Sequence, residues 1–238
     1  MSTLSMHGTE RRTPAARLLR HGQRLTQPEF HRRYEQCPED FKAELIGGIV
    51  YVASPMRIRH ASHHPNLSLA FCLYGGGTPE VQLLDNATTI LGSESEPQPD
   101  LGLRILPEWD GQSGTDANGY VTGSPELLAE VSDTTKRLDL NQKKSDYEKA
   151  GVLEYLVWCI KERELHWFHF PSGTMIRPNR RSILRSRVFP GLWIHQEALF
   201  DCDTQRIAAV VQQGLASREH AAFVKRLQAA RRKLSGGR

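Results

Sequence analysis

Two acids and a lysine pair carry most of the chemical potential in this chain. Asp100 opens the run PDLGLRIL and Glu130 lies inside ELLAEVS, with apolar neighbours Leu101 and Leu103 for the first and Leu127, Leu128 and Val131 for the second. A carboxylate against a sheet core is costly unless something positive compensates it. An arginine or lysine, a set of backbone donors, or a hard divalent cation would do so. Mg²⁺ takes one or two protein carboxylates and leaves its other positions to water and phosphate oxygens, so two acids from adjacent strands suit it. Such an ion polarises a phosphodiester and lowers the pKa of a bound water. A nearby lysine would then orient the water and offset charge building on phosphorus. Asp139, Lys143 and Tyr147 follow at i, i+4 and i+8, which places them on one helix face, with Lys144 about a quarter-turn away.

The elements that must position these residues are legible in outline. Thr26 followed by Glu29 has the pattern of a capping box, with Pro28 in the first turn. FKAELIGGIVYVAS reads as a hairpin turning at Gly47-Gly48. The stretch 56–74 has helical apolar spacing, with Pro65 as a break or a true start. VQLLDNATTILGS is an extended segment or hairpin, and a strand begins at Asp100. The segment 107–124 is dense in Gly, Asp and Ser, which predicts a mobile surface insertion. ELLAEVS is the next strand, and LDLNQKKSDYEKAG is a helix stopped by Gly151. LEYLVWCI and RELHWFHF form two adjacent strands, RSILRSRVFPGLWI closes the sheet, and the chain after Glu197 is helical.

The order and spacing of these motifs resemble the Uma-type restriction endonucleases of the PD-(D/E)XK nuclease superfamily. The resemblance rests on Pro99-Asp100, Glu130-Val131-Ser132, Asp139, Lys143, Tyr147, Ala150-Gly151-Val152 and Glu154-Tyr155. It extends to the hairpin AELIGGIVYVASP, with Glu44 matching the family's acid and His60 a histidine just after it, and to VFPGLWI near the end. It implies an α/β (α+β) fold, a restriction-endonuclease-like mixed β-sheet flanked by helices. Asp100 and Glu130 become the metal ligands for Mg²⁺ or Mn²⁺, and Lys143 and Glu44 join them as catalytic residues. His60, Ser132, Asp139, Lys144 and Tyr147 become outer-shell candidates. The superfamily's usual lysine stands two positions after the glutamate, where this chain has Ser132. In these relatives its role moves to the helix, to Lys143, with Lys144 as the competing position.

The implied activity is hydrolysis of DNA phosphodiester bonds, with a homodimer serving two strands. The alternative is a nucleic-acid-binding or assembly protein that keeps the fold without turnover, as the serine at 132 suggests. The implied organisation is a flexible basic arm over 1–24, a nuclease-like domain over 25–200 and a helical extension with a basic tail over 201–238.

Composition agrees with this outline without requiring it. The 238 residues are 39% hydrophobic and 24% charged, ordinary for a globular domain, and the net charge of +4 permits a polyanionic partner. Four widely spaced cysteines suit a reducing cytoplasm. The first twenty residues lack the apolar core of a signal peptide, and no run approaches the ~18 apolar residues of a membrane span. A cytoplasmic location, no membrane contact and no small-molecule cofactor are expected. HASHH, with His60 and His64 four apart, has Ala61 where a zinc protease helix carries its glutamate, which argues against zinc. Arg177, Arg180, Arg181, Arg185 and Arg187 fall in strand-like or turn segments. Aligned on one groove, they would bind phosphates.

Overall fold

Strand β8, Leu127–Ser132, is buried along its whole length and forms the axis of the molecule, which a computed structural model describes over residues 19–235. Five further strands flank it: β3 (Val81–Asp85), β5 (Leu101–Ile105), β9 (Glu154–Cys159), β10 (Glu164–His169) and β11 (Thr174–Ile176). They form a mixed sheet in the order β11-β10-β9-β8-β5-β3. The β8/β9 pair is parallel and every other pair antiparallel. A parallel pair needs a crossover, and residues 138–150 supply it as a helical segment.

Alternation along the strands divides the sheet into two faces. Leu127, Ala129 and Val131 of β8, with Leu156 and Trp158 of β9, face the larger core. Helix α2 (Ile58–Gly77) packs there through Leu67, Ala70, Phe71 and Tyr74, joined by residues of α4 (Gln196–Phe200), α5 (Thr204–Leu215) and α6 (Arg218–Ser235). Leu128, Tyr155, Val157 and Cys159 face the other way, against Tyr147 of the crossover. A third cluster joins α1 (Gln27–Tyr34) to the hairpin β1 (Ala43–Ile46) and β2 (Ile49–Val52) through Phe30, Leu45 and Val50.

That hairpin turns on two residues, since Ile46 pairs with Ile49. Gly47 and Gly48 have φ of 55° and 76°, the positive values a type I′ turn requires at both positions. Gly48→Ala is expected to lower stability by about 1–2 kcal/mol, read as an earlier midpoint in urea unfolding.

Several expectations need correction. Thr26 is the N-cap of α1 but makes no side-chain cap bond. Glu29 instead pairs with Arg32 and Arg33, which outcompete the cap for its carboxylate. Pro65 neither breaks nor starts α2, which runs through it. VQLLDNATTILGS is not a hairpin, because β3 joins the main sheet while β4 (Thr89–Ile90) pairs with β7 (Val121–Gly123) in a separate three-stranded sheet.

Segment 107–124 is not a mobile insertion. It contains β6 (Ser113–Thr115) and β7, and Arg104 clamps it by donating to Gly114 O at 2.7 Å and Thr115 Oγ1 at 2.9 Å. The buried Glu126 carboxylate accepts from Ile105 N and Gln112 N, both at 2.9 Å. Among the described residues, strands β12 (Ile183–Arg185) and β13 (Trp193–His195) pair only with each other, so the main sheet ends at β11 and β3, not at that segment.

Residues 1–18 of the expected arm lie outside the described residues. Of the rest, Leu19 is buried, and Gly22 N donates to Val50 O at 2.8 Å, while Arg20, His21 and Arg24 are exposed. After residue 200 the chain forms α5 and α6, whose Ile207, Val211, Phe223 and Leu227 enter the larger core. None of the four cysteines forms a disulfide. No helix among the described residues is long and apolar enough to cross a membrane.

Candidate active site

Sheet register brings the two predicted acids together. Strands β5 and β8 pair Leu101 with Ala129 and Gly102 with Leu128, so one further step sets Asp100 across from Glu130. Glu130 falls on the face opposite the larger core, beside Tyr147, and Asp100, one step before β5, meets His60 near the start of α2. Val131 N donates to Asp100 Oδ2 at 2.7 Å. Directly opposed like charges destabilise a sheet, so this position needs compensation.

Lys143 supplies part of it. Its Nζ donates to Glu130 Oε1 and to Glu44 Oε1, each at 2.9 Å. Tyr147 Oη donates to the same Glu130 oxygen at 3.0 Å. Glu44 comes from β1, which the Leu45–Glu96 bridge ties to the segment leading into Asp100. Gln98 N donates to Glu44 Oε1 at 2.8 Å. His60 Nε2 lies 3.1 Å from Asp100 Oδ2, while His60 Nδ1 is buried without a partner among the described residues.

The crossover explains why Lys143 and not Lys144 points inward. Residues Leu138–Lys143 form a π-helical turn that continues into α3, Lys144–Ala150. In an α-helix four residues overshoot one turn by about 40°, whereas in the wider π turn they fall short of one. The step from Asp139 to Lys143 therefore drifts one way and the step from Lys143 to Tyr147 the other, and all three are buried. Lys144 points outward, bonded to Glu148 at 3.4 Å and lying over the Phe168 ring at 5.0 Å.

Asp139 does not touch Lys143 directly. Its Oδ2 accepts from Thr135 Oγ1 at 2.6 Å, and its carbonyl accepts from Tyr155 Oη at 3.1 Å, holding the π turn on β9. Ser132 is buried with its hydroxyl 3.4 Å from that of Thr135. Sequence reasoning gave Thr135 no part and took Tyr155 only as a residue of the family motif, with no role in the site. Thr135, four residues before Asp139, was findable as a hydroxyl within one turn, but Tyr155 reaches Asp139 only through the packing of β9.

Charge in this pocket is unbalanced. Burial pushes the Glu130 carboxyl well above the ordinary carboxylate range; Lys143 pulls it down, and Asp100, Asp139 and Glu44 push it up again. Burial alone would lower the Lys143 ammonium, but Glu130, Glu44 and Asp139 hold it well above its usual value. Burial also raises Asp100, yet His60 and the Val131 N–H outweigh it and keep that carboxyl below its usual range. One lysine thus faces several acids, and clustered carboxylate oxygens suit a hard divalent cation.

A second cluster lies further along the same sheet face. Cys159, Glu164 and His166 place their ligand atoms within 4.8 Å of one another. Burial pushes the Cys159 thiol up to about 12, and Lys136 Nζ already occupies Glu164 at 2.8 Å. A thiol must ionise to bind a metal, so this trio fits one poorly.

Residues 28–197 match the family profile Uma2, whose description is "Putative restriction endonuclease". The fold also matches a crystal structure described as "a putative nuclease belonging to DUF820" from Anabaena variabilis. That likeness has 15% sequence identity and a TM-score of 0.57, and it covers 74% of this chain and 98% of the other. No curated protein matches the chain.

Proposed function

The chain belongs to the Uma2 restriction endonuclease family, and from that premise we propose that it is a divalent-metal-dependent endonuclease hydrolysing DNA phosphodiester bonds. The observation that carries this reading is the opposition of Asp100 and Glu130 across β5 and β8, with a buried lysine between Glu130 and Glu44.

Asp100 and Glu130 would hold Mg²⁺ or Mn²⁺, which when bound lowers the pKa of a water and polarises the phosphodiester. The chain's own groups prepare that site. Val131 N–H and His60 keep Asp100 ionised and fix its orientation. Tyr147 and Lys143 hold one oxygen of Glu130, Oε1, and leave Oε2 outside those bonds. Lys143 brings a positive charge that offsets the charge developing on phosphorus, and Glu44 fixes the ammonium from its other side. His60, Ser132, Asp139 and Tyr147 support these groups without reacting. A homodimer, with one such site per strand, completes the proposal for double-stranded cleavage.

The test is supercoiled plasmid incubated with the purified protein and Mg²⁺ or Mn²⁺. Wild type is expected to nick and linearise it, and Asp100→Asn to leave it intact at equal protein concentration. Cleavage unchanged in Asp100→Asn would overturn the reading. Metal-independent DNA binding with no cleavage by the wild type would instead favour the binding protein that Ser132 suggested.

A further inference from the structure

The arginines of RPNRRSILRSR, residues 177–187, have no part in the site above, and the segment holds five arginines and no acid. The fold gathers three of them around one concavity of about 350 Å³, lined by Ile176, Arg177, Asn179, Ile183, Arg185 and Arg187. It lies at the β11 edge, with β10 and β9 between it and β8. At about 4.8 Å per strand the lateral separation is roughly 14 Å, under half of one duplex turn of about 34 Å.

Three features distinguish this hollow from an ordinary solvated basic face. None of Arg177, Arg185 and Arg187 makes an ion pair with a carboxylate among the described residues. Two of them are nonetheless fixed: Arg185 lies over the Trp193 ring at 3.8 Å, and Arg187 Nη1 donates to Ser172 Oγ at 3.0 Å and Thr174 Oγ1 at 3.2 Å. The loop that shapes the wall is closed by Asn179 Oδ1, which accepts from Arg181 N at 2.8 Å and Ile183 N at 3.1 Å. Glu219 is engaged by Trp193 Nε1 at 2.8 Å and not by Arg185; planar guanidiniums held in place, with donors to spare and no ion-paired acid among the described residues, match phosphate oxygens in geometry and charge.

We propose that this concavity is a second, non-catalytic binding site that takes phosphate groups. Phosphate reaches it from a DNA backbone or from a free nucleotide. The DNA source rests on the nuclease reading, whereas the phosphate chemistry does not.

The experiment is equilibrium binding in EDTA, where no cleavage occurs, so it fails or succeeds independently of the plasmid assay. Three probes are used on the intact chain: a fluorescein-labelled DNA duplex by anisotropy, and AMP and inorganic phosphate by calorimetry. Arg177→Ala/Arg185→Ala is compared with Lys149→Ala/Lys225→Ala, which removes the same charge from exposed positions elsewhere. Expected is a loss of about ten-fold or more in duplex affinity for the arginine pair and less than about three-fold for the lysine pair. The log–log salt slope should flatten by about two, one contact per arginine. Loss confined to AMP or phosphate would support the site with a small-molecule source. Equal losses in both double variants for every probe, or no binding of any probe by the wild type, would overturn the proposal.

Discussion

Lys143→Met is expected to abolish detectable plasmid cleavage and to lower the thermal midpoint of the metal-free protein. The two effects have one origin. Lys143 is almost wholly buried and is the shared donor to Glu130 and Glu44. Losing a group that offsets transition-state charge costs on the order of 10²–10³ in rate. Breaking one partner out of a buried ion pair costs about 3–5 kcal/mol, which for a chain of this size corresponds to roughly 6–20 °C.

The double variant Lys143→Met/Glu130→Gln separates the two effects. It removes the uncompensated carboxylate, while the side-chain amide oxygen that replaces it can still accept from Tyr147. Stability should return most of the way toward wild type while cleavage stays absent. If cleavage persists in Lys143→Met, the lysine has no catalytic part. If the double variant is no more stable than the single one, the pair is not coupled as its geometry implies. Lys144→Met serves as the comparison and should leave both readouts near wild type, since that ammonium faces solvent and two phenyl rings.

The second large effect lies on the opposite face of the sheet. Glu154 belongs to the Glu154-Tyr155 pair that carried part of the family resemblance, yet its side chain points away from Glu130. It is fully buried. Oε2 accepts from Trp167 Nε1 at 3.0 Å and Ser186 Oγ at 2.7 Å, and Oε1 accepts from Arg187 N at 2.7 Å and Val188 N at 3.1 Å. This one carboxylate fastens β10 and the turn after β12 to the centre of the sheet. Burial pushes its carboxyl upward, and the donors around it pull it back.

Glu154→Ala would leave four donors without an acceptor in a closed interior, and a loss of roughly 3–5 kcal/mol is expected. Glu154→Gln keeps one acceptor and should lose about half as much. Chemical denaturation of the three proteins in EDTA measures both. A loss under about 1 kcal/mol in Glu154→Ala would show that water or rearranged side chains replace the carboxylate. The same turn carries Arg187, so Glu154 also anchors one wall of the arginine concavity.

What sequence could determine here was local. Strand and helix periods are written in neighbouring residues, so β8, β9, β10 and the hairpin at Gly47-Gly48 were all readable, as were the spacing of Asp139, Lys143 and Tyr147 and the stop at Gly151. The improbability of Glu130 in an apolar strand was also a local signal. Where reading failed, a distant partner decided. Segment 107–124 looked mobile because its composition is that of a loop, but Arg104 and Glu126 hold it from other strands. RSILRSRVFPGLWI has strand character, and nothing in it states which strand it pairs with.

The choice between Lys143 and Lys144 turned on a π turn whose hydrogen bonding no spacing rule reveals. The opposition of Asp100 and Glu130 and the approach of Glu44 to Lys143 arise from register and packing between segments far apart in sequence. The hollow that three arginines share likewise depends on Ser172, Thr174 and Trp193, which fix two of them from neighbouring strands and turns. Those contacts form only when the sheet closes, so the chain specified which groups it has, and the tertiary structure decided which of them meet.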